Sequence, residues 1–329
     1  MKISERRRNI YCPVMALLPG LLALSPLAEA QKYPSKPIRM VVPFSAGSGA
    51  DVLARFIGPK LYEAWGQQVV VDNRSSAGGT VAGIAVASAS ADGYTLLFTS
   101  SSFAGSAALY EKLPYDSIRD FSGVTLIGSA HQVLVASPSL NIKSVKELIA
   151  LAKQKPKQLN FGSGGIGSGV HYAGELFNYS AGISAVHVPY KGPVDALNDV
   201  ISGRIQYSFP PLPAALPLIK SGRLTLLAVA AGQRVAQLPD VPTVAESGLP
   251  GYEYAGWYGV LAPAKTPRAI IMQLNKELVR IVETPDMIER LAAVGVVAKV
   301  STPESFEKII RDEIETRRKV FRAAGVKAQ

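Results

Sequence analysis

Residues 38–42 form an apolar run, IRMVV, that stops at Pro43 and gives way to the small residues Ser45, Ala46, Gly47, Ser48 and Gly49. An amphipathic pattern then opens at Ala50 and Asp51. This order predicts a strand, a small-residue loop and a helix. The same pattern recurs along the chain. Residues 69–72 predict a second strand, followed by a loop over 73–79 and an Ala- and Val-rich helix over 80–90. Asp92-Gly93 marks a turn, and 94–99 predicts a third strand ending in Ser100-Ser101-Ser102. Short strands are expected at 124–128 and 133–136, then a helix over 144–154 with Ser144 as N-cap and Glu147 at capping-box spacing. In the second half 159–161, 185–189, 205–209 and 224–230 predict strands, with loops at 162–169, 190–193 and 210–213 leading into helices. Repeated β-α-β order implies an α/β chain with mostly parallel sheets and helices on both faces. The last part is helical over 267–282, 285–294 and 303–324. In the final helix Phe306, Ile309, Ile310, Ile314 and Phe321 make a core stripe suited to packing back on the first sheet.

The first thirty residues stand apart. Lys2, Arg6, Arg7 and Arg8 make a basic segment, 14–27 is mostly apolar, and Ala28-Glu29-Ala30 fits a small-x-small cleavage pattern. This is read as a secretory signal peptide cleaved after Ala30, because the apolar part is shorter than the roughly 20 residues a membrane span needs. Cleavage removes Cys12, the only cysteine, which excludes thiol catalysis, disulfides and cysteine metal sites. The remaining chain is long enough for two domains. The formal charge is +10; the first thirty residues hold four basic and two acidic side chains, which leaves +8. The basic residues are scattered, the densest group being Arg317-Arg318-Lys319, so no nucleic-acid face is expected. A basic balance fits attraction of small anions.

Residues 162–167, GSGGIG, match G-x-G-x-x-G between a strand and a helix. The acidic residue a dinucleotide site needs at the end of the next strand is missing; Tyr190-Lys191 stand there. His131, His171 and His187 have no metal-ligand spacing and no acidic cluster. His187 reads as a structural histidine. His171, behind a Gly/Ser loop, is either a ligand contact or a structural residue, and His131 lies where the chain leaves the first sheet. Ser45, Ser48, Ser75, Ser100, Ser101, Ser163 and Ser168 occupy loops after strands, and none lies in G-x-S-x-G. Ligands of open α/β sheets sit beyond the carboxyl ends of the strands. The loops at 44–51, 75–80, 99–104, 162–171, 190–194 and 209–213 fall there, three from each sheet, and helix N-termini favour an anion between them.

Long collinear segments then identify a resemblance: 41–55 (VVPFSAGSGADVLAR), 69–79 (VVVDNRSSAGG), 92–97 (DGYTLL), 113–121 (LPYDSIRDF), 187–192 (HVPYKG), 238–253 (LPDVPTVAESGLPGYE) and 257–267 (WYGVLAPAKTP). They resemble the Bug family, periplasmic solute receptors of tripartite tricarboxylate transporters, over nearly all of the exported chain. The resemblance implies a type II-like, two-domain periplasmic-binding-protein fold with a hinge cleft that closes on a carboxylate. It implies a discontinuous first domain, 31–130 plus 252–329, and a second over 131–251. First-loop contacts would come from Phe44, Ser45, Ala46, Gly47 and Asp51, with Asp51 ordering the loop rather than meeting the anion. Ala77, Gly78 and Gly79 would follow from the second loop and Ser100 and Ser101 from the third strand's end. The second domain would offer Ser163, Gly164, Ser168 and Tyr190. The expected partners are a carboxylate and a membrane permease, with a monomeric receptor, no cofactor and no catalytic step.

One departure stands out. Many members carry Asp-Asn after the strand that reads IQYSF here, whereas this chain has Pro210-Pro211. The missing acid implies a ligand without an ammonium group. Phe209 and Pro210 would offer a flat wall for a ring, as in terephthalate. The rival readings are an exported hydrolase using a loop serine with His131 or His171, and a receptor that presents its ligand to a sensor.

Overall fold

The computed structural model describes residues 33–76, 79–190 and 192–326. The expected signal peptide, Ala77, Gly78 and Lys191 lie outside the described residues. The chain runs through β1 (Ile38–Val42), α1 (Gly49–Trp65), β2 (Val69–Asn73), α2 (Thr80–Ala87), β3 (Thr95–Ser100), α3 (Ser102–Leu109) and β4 (Phe121–His131). One residue, Gln132, separates β4 from β5 (Val133–Ala136). Then follow α4 (Val145–Gln154), β6 (Asn160–Ser163), α5 (Gly169–Ala181), β7 (Val186–Pro189), α6 (Pro193–Ile201), β8 (Tyr207–Ser208), α7 (Leu212–Lys220) and β9 (Thr225–Val229). A long return leads to β10 (Ala255–Pro263), α8 (Arg268–Val282), α9 (Pro285–Ala293), β11 (Val296–Ala298) and α10 (Pro303–Ala323).

Two sheets result, ordered β11-β4-β10-β3-β1-β2 and β7-β6-β8-β5-β9. They are mixed, which corrects the expectation of mostly parallel sheets. β1 pairs in parallel with β2 and β3, but β10 runs antiparallel to β3 and β4, and β11 antiparallel to β4. In the second sheet β6 is parallel to β7 and β8, while β5 is antiparallel to β8 and β9. The cause is the route of the chain. β4 ends at the edge where β1, β2 and β3 end, so β5 enters the second sheet there and must run against strands that finish at that edge. β10 makes the reverse journey and meets the same condition. Gln132 is held at the crossing: Ala230 N–H donates to its carbonyl (2.8 Å), and Val133 N–H donates to that of Pro210 (3.0 Å).

Local sequence explains the elements. Ile38, Met40, Val41 and Val42 are wholly buried, as a strand covered on both faces requires. Ser48 caps α1 by accepting from Asp51 N–H, and Gly66, at φ 68°, ends it. α3 was not visible as a helix because it is buried nearly all round and shows no polar face. The first half of α10 buries Phe306, Ile310 and Ile314 with Phe121, Trp257 and Leu261 of the first sheet. Its last turns carry Val320 and Phe321 into the other core, beside Tyr172 and Phe177.

A column of four rings runs through that second core. Phe321 stacks on His171 (5.0 Å), His171 on His187 (3.8 Å) and His187 on Phe161 (5.0 Å). Burial pushes both imidazoles down to about 3; Arg317 adds to this at His171, and His171 at His187. Glu175 Oε1 lies 3.6 Å from His171 Nε2, but the imidazole is uncharged and burial pushes this carboxyl up to about 7, so the contact is not an ion pair. An unfolded chain would protonate the histidines near 6.5, so their contribution is lost as pH falls from about 6.5 towards 3. Glu175 acts oppositely, costing stability as pH rises from about 4.5 to 7. Two protons outweigh one. Chemical unfolding should therefore show stability falling below pH 6.5, and more steeply below 4.5. His187→Gln should reduce that slope by about 1.4 kcal/mol per pH unit; an unchanged slope would contradict the neutral stacked pair.

Candidate functional site

The loops after β1 and β3 and those after β6, β7 and β8 stand at the adjoining edges of the two sheets. The first loop is braced at both ends. Asp51, 2% exposed, accepts from Gly47 N–H (2.8 Å) and from Arg55 Nε (3.0 Å). Arg55 Nη2 donates to Asn73 Oδ1 (3.1 Å), and Asn73 Nδ2 donates to the Phe44 carbonyl (3.0 Å). Burial opposes ionisation of Asp51, but the bonds from Arg55 and Gly47 outweigh it and hold the carboxyl below its usual range. Gly47 has φ 81°, a left-handed conformation that suits glycine. Ser45, Ala46 and Gly47 are exposed, so a fixed turn faces solvent ahead of the α1 N-terminus. Asp51 thus orders the loop through these bonds.

The other first-sheet positions differ in kind. Gly79, at φ 71°, packs on Pro43, where a Cβ would lie 2.8 Å from the proline Cβ. Ser100 Oγ pairs with Ser102 Oγ (3.0 Å) and is half-buried. The Ser101 hydroxyl is buried and pairs with Tyr254 OH (2.9 Å), so it faces inward. Sequence reasoning missed Tyr258. Its hydroxyl packs on Gly49, where a Cβ would meet it at 2.4 Å, and it stands opposite Ser100 in the β10–β3 register. Burial, with Tyr254 beside it, pushes the phenol up to about 12. The aromatic pair in WYG was the available signal.

In the second sheet the Gly-rich loop is shaped from beneath. Ser163 is wholly buried; its Oγ accepts from Gly165 N–H (3.1 Å) and lies 2.6 Å from His187 Nε2. His171, 1% exposed, accepts from Gly167 N–H at Nδ1 (3.1 Å), while Ser168 caps α5 by accepting from His171 N–H (3.2 Å). His171 is therefore not placed to touch a ligand, because its ring is enclosed, with Nδ1 taken by the loop and its faces by the stacked column. Gly164 and Ser168 remain partly exposed. Tyr190 OH donates to Asp199 (2.6 Å), and burial, with Asp199, pushes this phenol up to about 12. Phe209 offers no wall: it is 0% exposed and lies among Phe177, Tyr207 and Tyr252. Pro210 is buried at the crossing.

His131 ends β4, three strands from β1, or roughly 14 Å at the usual strand spacing. It lines an open cleft of about 500 Å³ with Arg234, Glu253 and Val297, on the other flank of the first sheet. Burial lowers its pKa, and Glu253 partly offsets this. Helix α3 meets the loop before α5: a Cβ on Gly105 would fall 2.0 Å from the Gly167 carbonyl, while one on Gly169, at the start of α5, would fall 2.6 Å from Tyr254 OH.

This arrangement offers neutral donors and helix N-termini, a chemistry suited to an anion. Ser163 and His187 are within hydrogen-bond reach, yet Ser163 is closed to substrate, so the hydrolase reading gains no nucleophile there. Among the described residues no group of three His, Cys, Asp or Glu is arranged to hold a metal, and no helix is long and apolar enough to cross a membrane.

The chain is similar to several known proteins. BugT of Bordetella pertussis is 37% identical over 301 residues, covering 91% of this chain and 92% of that protein. The solved structure of R. palustris Rpa4515 with adipate has a TM-score of 0.82 at 35% identity, covering 89% of this chain and 98% of the other. MatC of Rhodopseudomonas palustris, with bound malate, has a TM-score of 0.78 at 29% identity, covering 88% and 99%. The family model described as "Tripartite tricarboxylate transporter family receptor" matches residues 53–326, and the chain belongs to that family, which includes the Bug receptors.

Proposed function

We propose that this chain is a periplasmic receptor that captures a short aliphatic dicarboxylate lacking an ammonium group and delivers it to a membrane permease, without a catalytic step. In this reading 31–130 with 252–329 form one jaw and 131–251 the other, closing on the ligand as a monomer. The observation that carries it is the pair of braced, small-residue loops, 44–49 and 163–169, placed at adjoining sheet edges, each ahead of a capped helix N-terminus. A carboxylate there meets backbone and hydroxyl donors and the positive ends of helix dipoles. Asp51 adds no repulsion, since Arg55 and Gly47 N–H occupy its oxygens. Adipate and malate in the two related structures support the ligand class. Pro210-Pro211 supply no acid to pair with an ammonium. An aromatic diacid such as terephthalate is the weaker choice, because the Phe209 ring lies in the core.

A thermal-shift and calorimetric panel of succinate, adipate, malate, citrate, terephthalate, aspartate and glutamate tests this. Aliphatic diacids at a hundredfold excess over Kd should add about 2.7 kcal/mol, a shift of a few degrees for a chain of this size. Aspartate or glutamate binding as tightly would overturn the ammonium argument, terephthalate above every aliphatic diacid would reverse the ranking, and no response to any acid would end the carboxylate reading.

The brace on the first loop gives a second prediction. Asp51→Asn and Asn73→Ala should each weaken binding of the best acid by roughly tenfold, the cost of about one well-placed hydrogen bond, with the circular-dichroism spectrum retained. Unchanged affinity in both variants would show that the loop does not hold the ligand.

A further inference from the structure

Arg317 is 0% exposed on α10, at the point where that helix passes from the first core to the second. Nη1 donates to the Gly167 carbonyl (3.4 Å), and Nη2 donates to Tyr254 OH (2.7 Å) and Glu313 Oε1 (2.6 Å). Nε also donates to Glu313 Oε1 (2.9 Å), and the guanidinium lies over the Tyr172 ring at 4.6 Å. The contacts extend in both directions. Tyr254 OH pairs with Ser101 Oγ, and the second oxygen of Glu313 accepts from the Trp257 indole N–H in β10. Gly167 is pinned on its other side by His171.

A buried charge is costly unless it is paired and well hydrogen-bonded. Here the guanidinium joins the second Gly-rich loop to Tyr254, to the end of β3 through Ser101, and to β10 through Glu313. Arg317 itself is fully enclosed, so it can act on a ligand only through the groups it holds. We infer that Arg317 is a positioning residue for ligand capture: it fixes the Gly167 carbonyl, and with it the 163–169 loop, against the first sheet. Trp257, sharing Glu313 with Arg317, is a built-in reporter of that loop. Only the ligand arm of this inference rests on the carboxylate-receptor reading.

Arg317→Lys tests it, because a single ammonium keeps the charge beside Glu313 but cannot fork to Tyr254 and Gly167 together. In ligand-free protein, backbone amides over 164–169 should exchange at least tenfold faster than in the parent, while those of α4 stay unchanged. With Trp65→Phe as background, adding adipate should change Trp257 emission in the Arg317 protein and leave it flat in Arg317→Lys, whose Kd for adipate should rise about tenfold. Equal exchange over 164–169 in a folded Arg317→Lys protein would overturn the inference. If that variant does not fold, Tyr254→Phe must raise exchange in the same amides, and no rise there also overturns it. A parent that answers to no carboxylate would end the receptor reading, while the ligand-free exchange would still decide the role of Arg317.

Discussion

Both sheets present the ends of their parallel strands at one shared edge, and the single residue between β4 and β5 enforces this. Because Gln132 leaves no slack, the loops after β1 and β3 and those after β6, β7 and β8 must lie at adjoining edges. The antiparallel placement of β5 follows from the same crossing, and that of β10 from the return crossing, where Tyr254 N–H donates to the Ala230 carbonyl. The burial of Pro210, whose carbonyl accepts from Val133 N–H, belongs to the crossing between β4 and β5. That the two loop sets adjoin is therefore a consequence of chain routing rather than of any one side chain.

Routing alone would leave floppy loops, and buried polar groups make them rigid. On the first sheet an ion pair does this from the α1 side, with Asn73 completing the ring. On the second sheet it falls to neutral histidines beneath the loop, with Arg317 beside it. The charges involved are paired within the protein. What faces outward is small residues and helix N-termini, a weak positive field without a cation to compete with the ligand's own geometry.

Much of this was legible in the sequence. The apolar runs ending in Gly/Ser loops located β1, β2, β3 and β6 and the loops that follow, because alternation and loop chemistry are local signals. The role of Asp51 was legible too, from its position in the first turn. Spatial partners were not. α3 has no polar face, and the antiparallel position of β10 depends on the return crossing. Phe209 and His171 looked like cleft residues because they stand next to loops; only the packing shows that their rings point inward. Arg317 sat in a basic cluster that reads as solvated surface, yet its neighbour Lys319 is exposed while Arg317 is fully enclosed.

The central claim is that both loops hold one ligand. A titration of isotope-labelled protein with adipate, followed by backbone amide chemical shifts, tests it most directly. The account predicts that amides over 44–49 and over 163–169 shift together, with one common midpoint. Shifts confined to one loop, or to the cleft around His131, would contradict it.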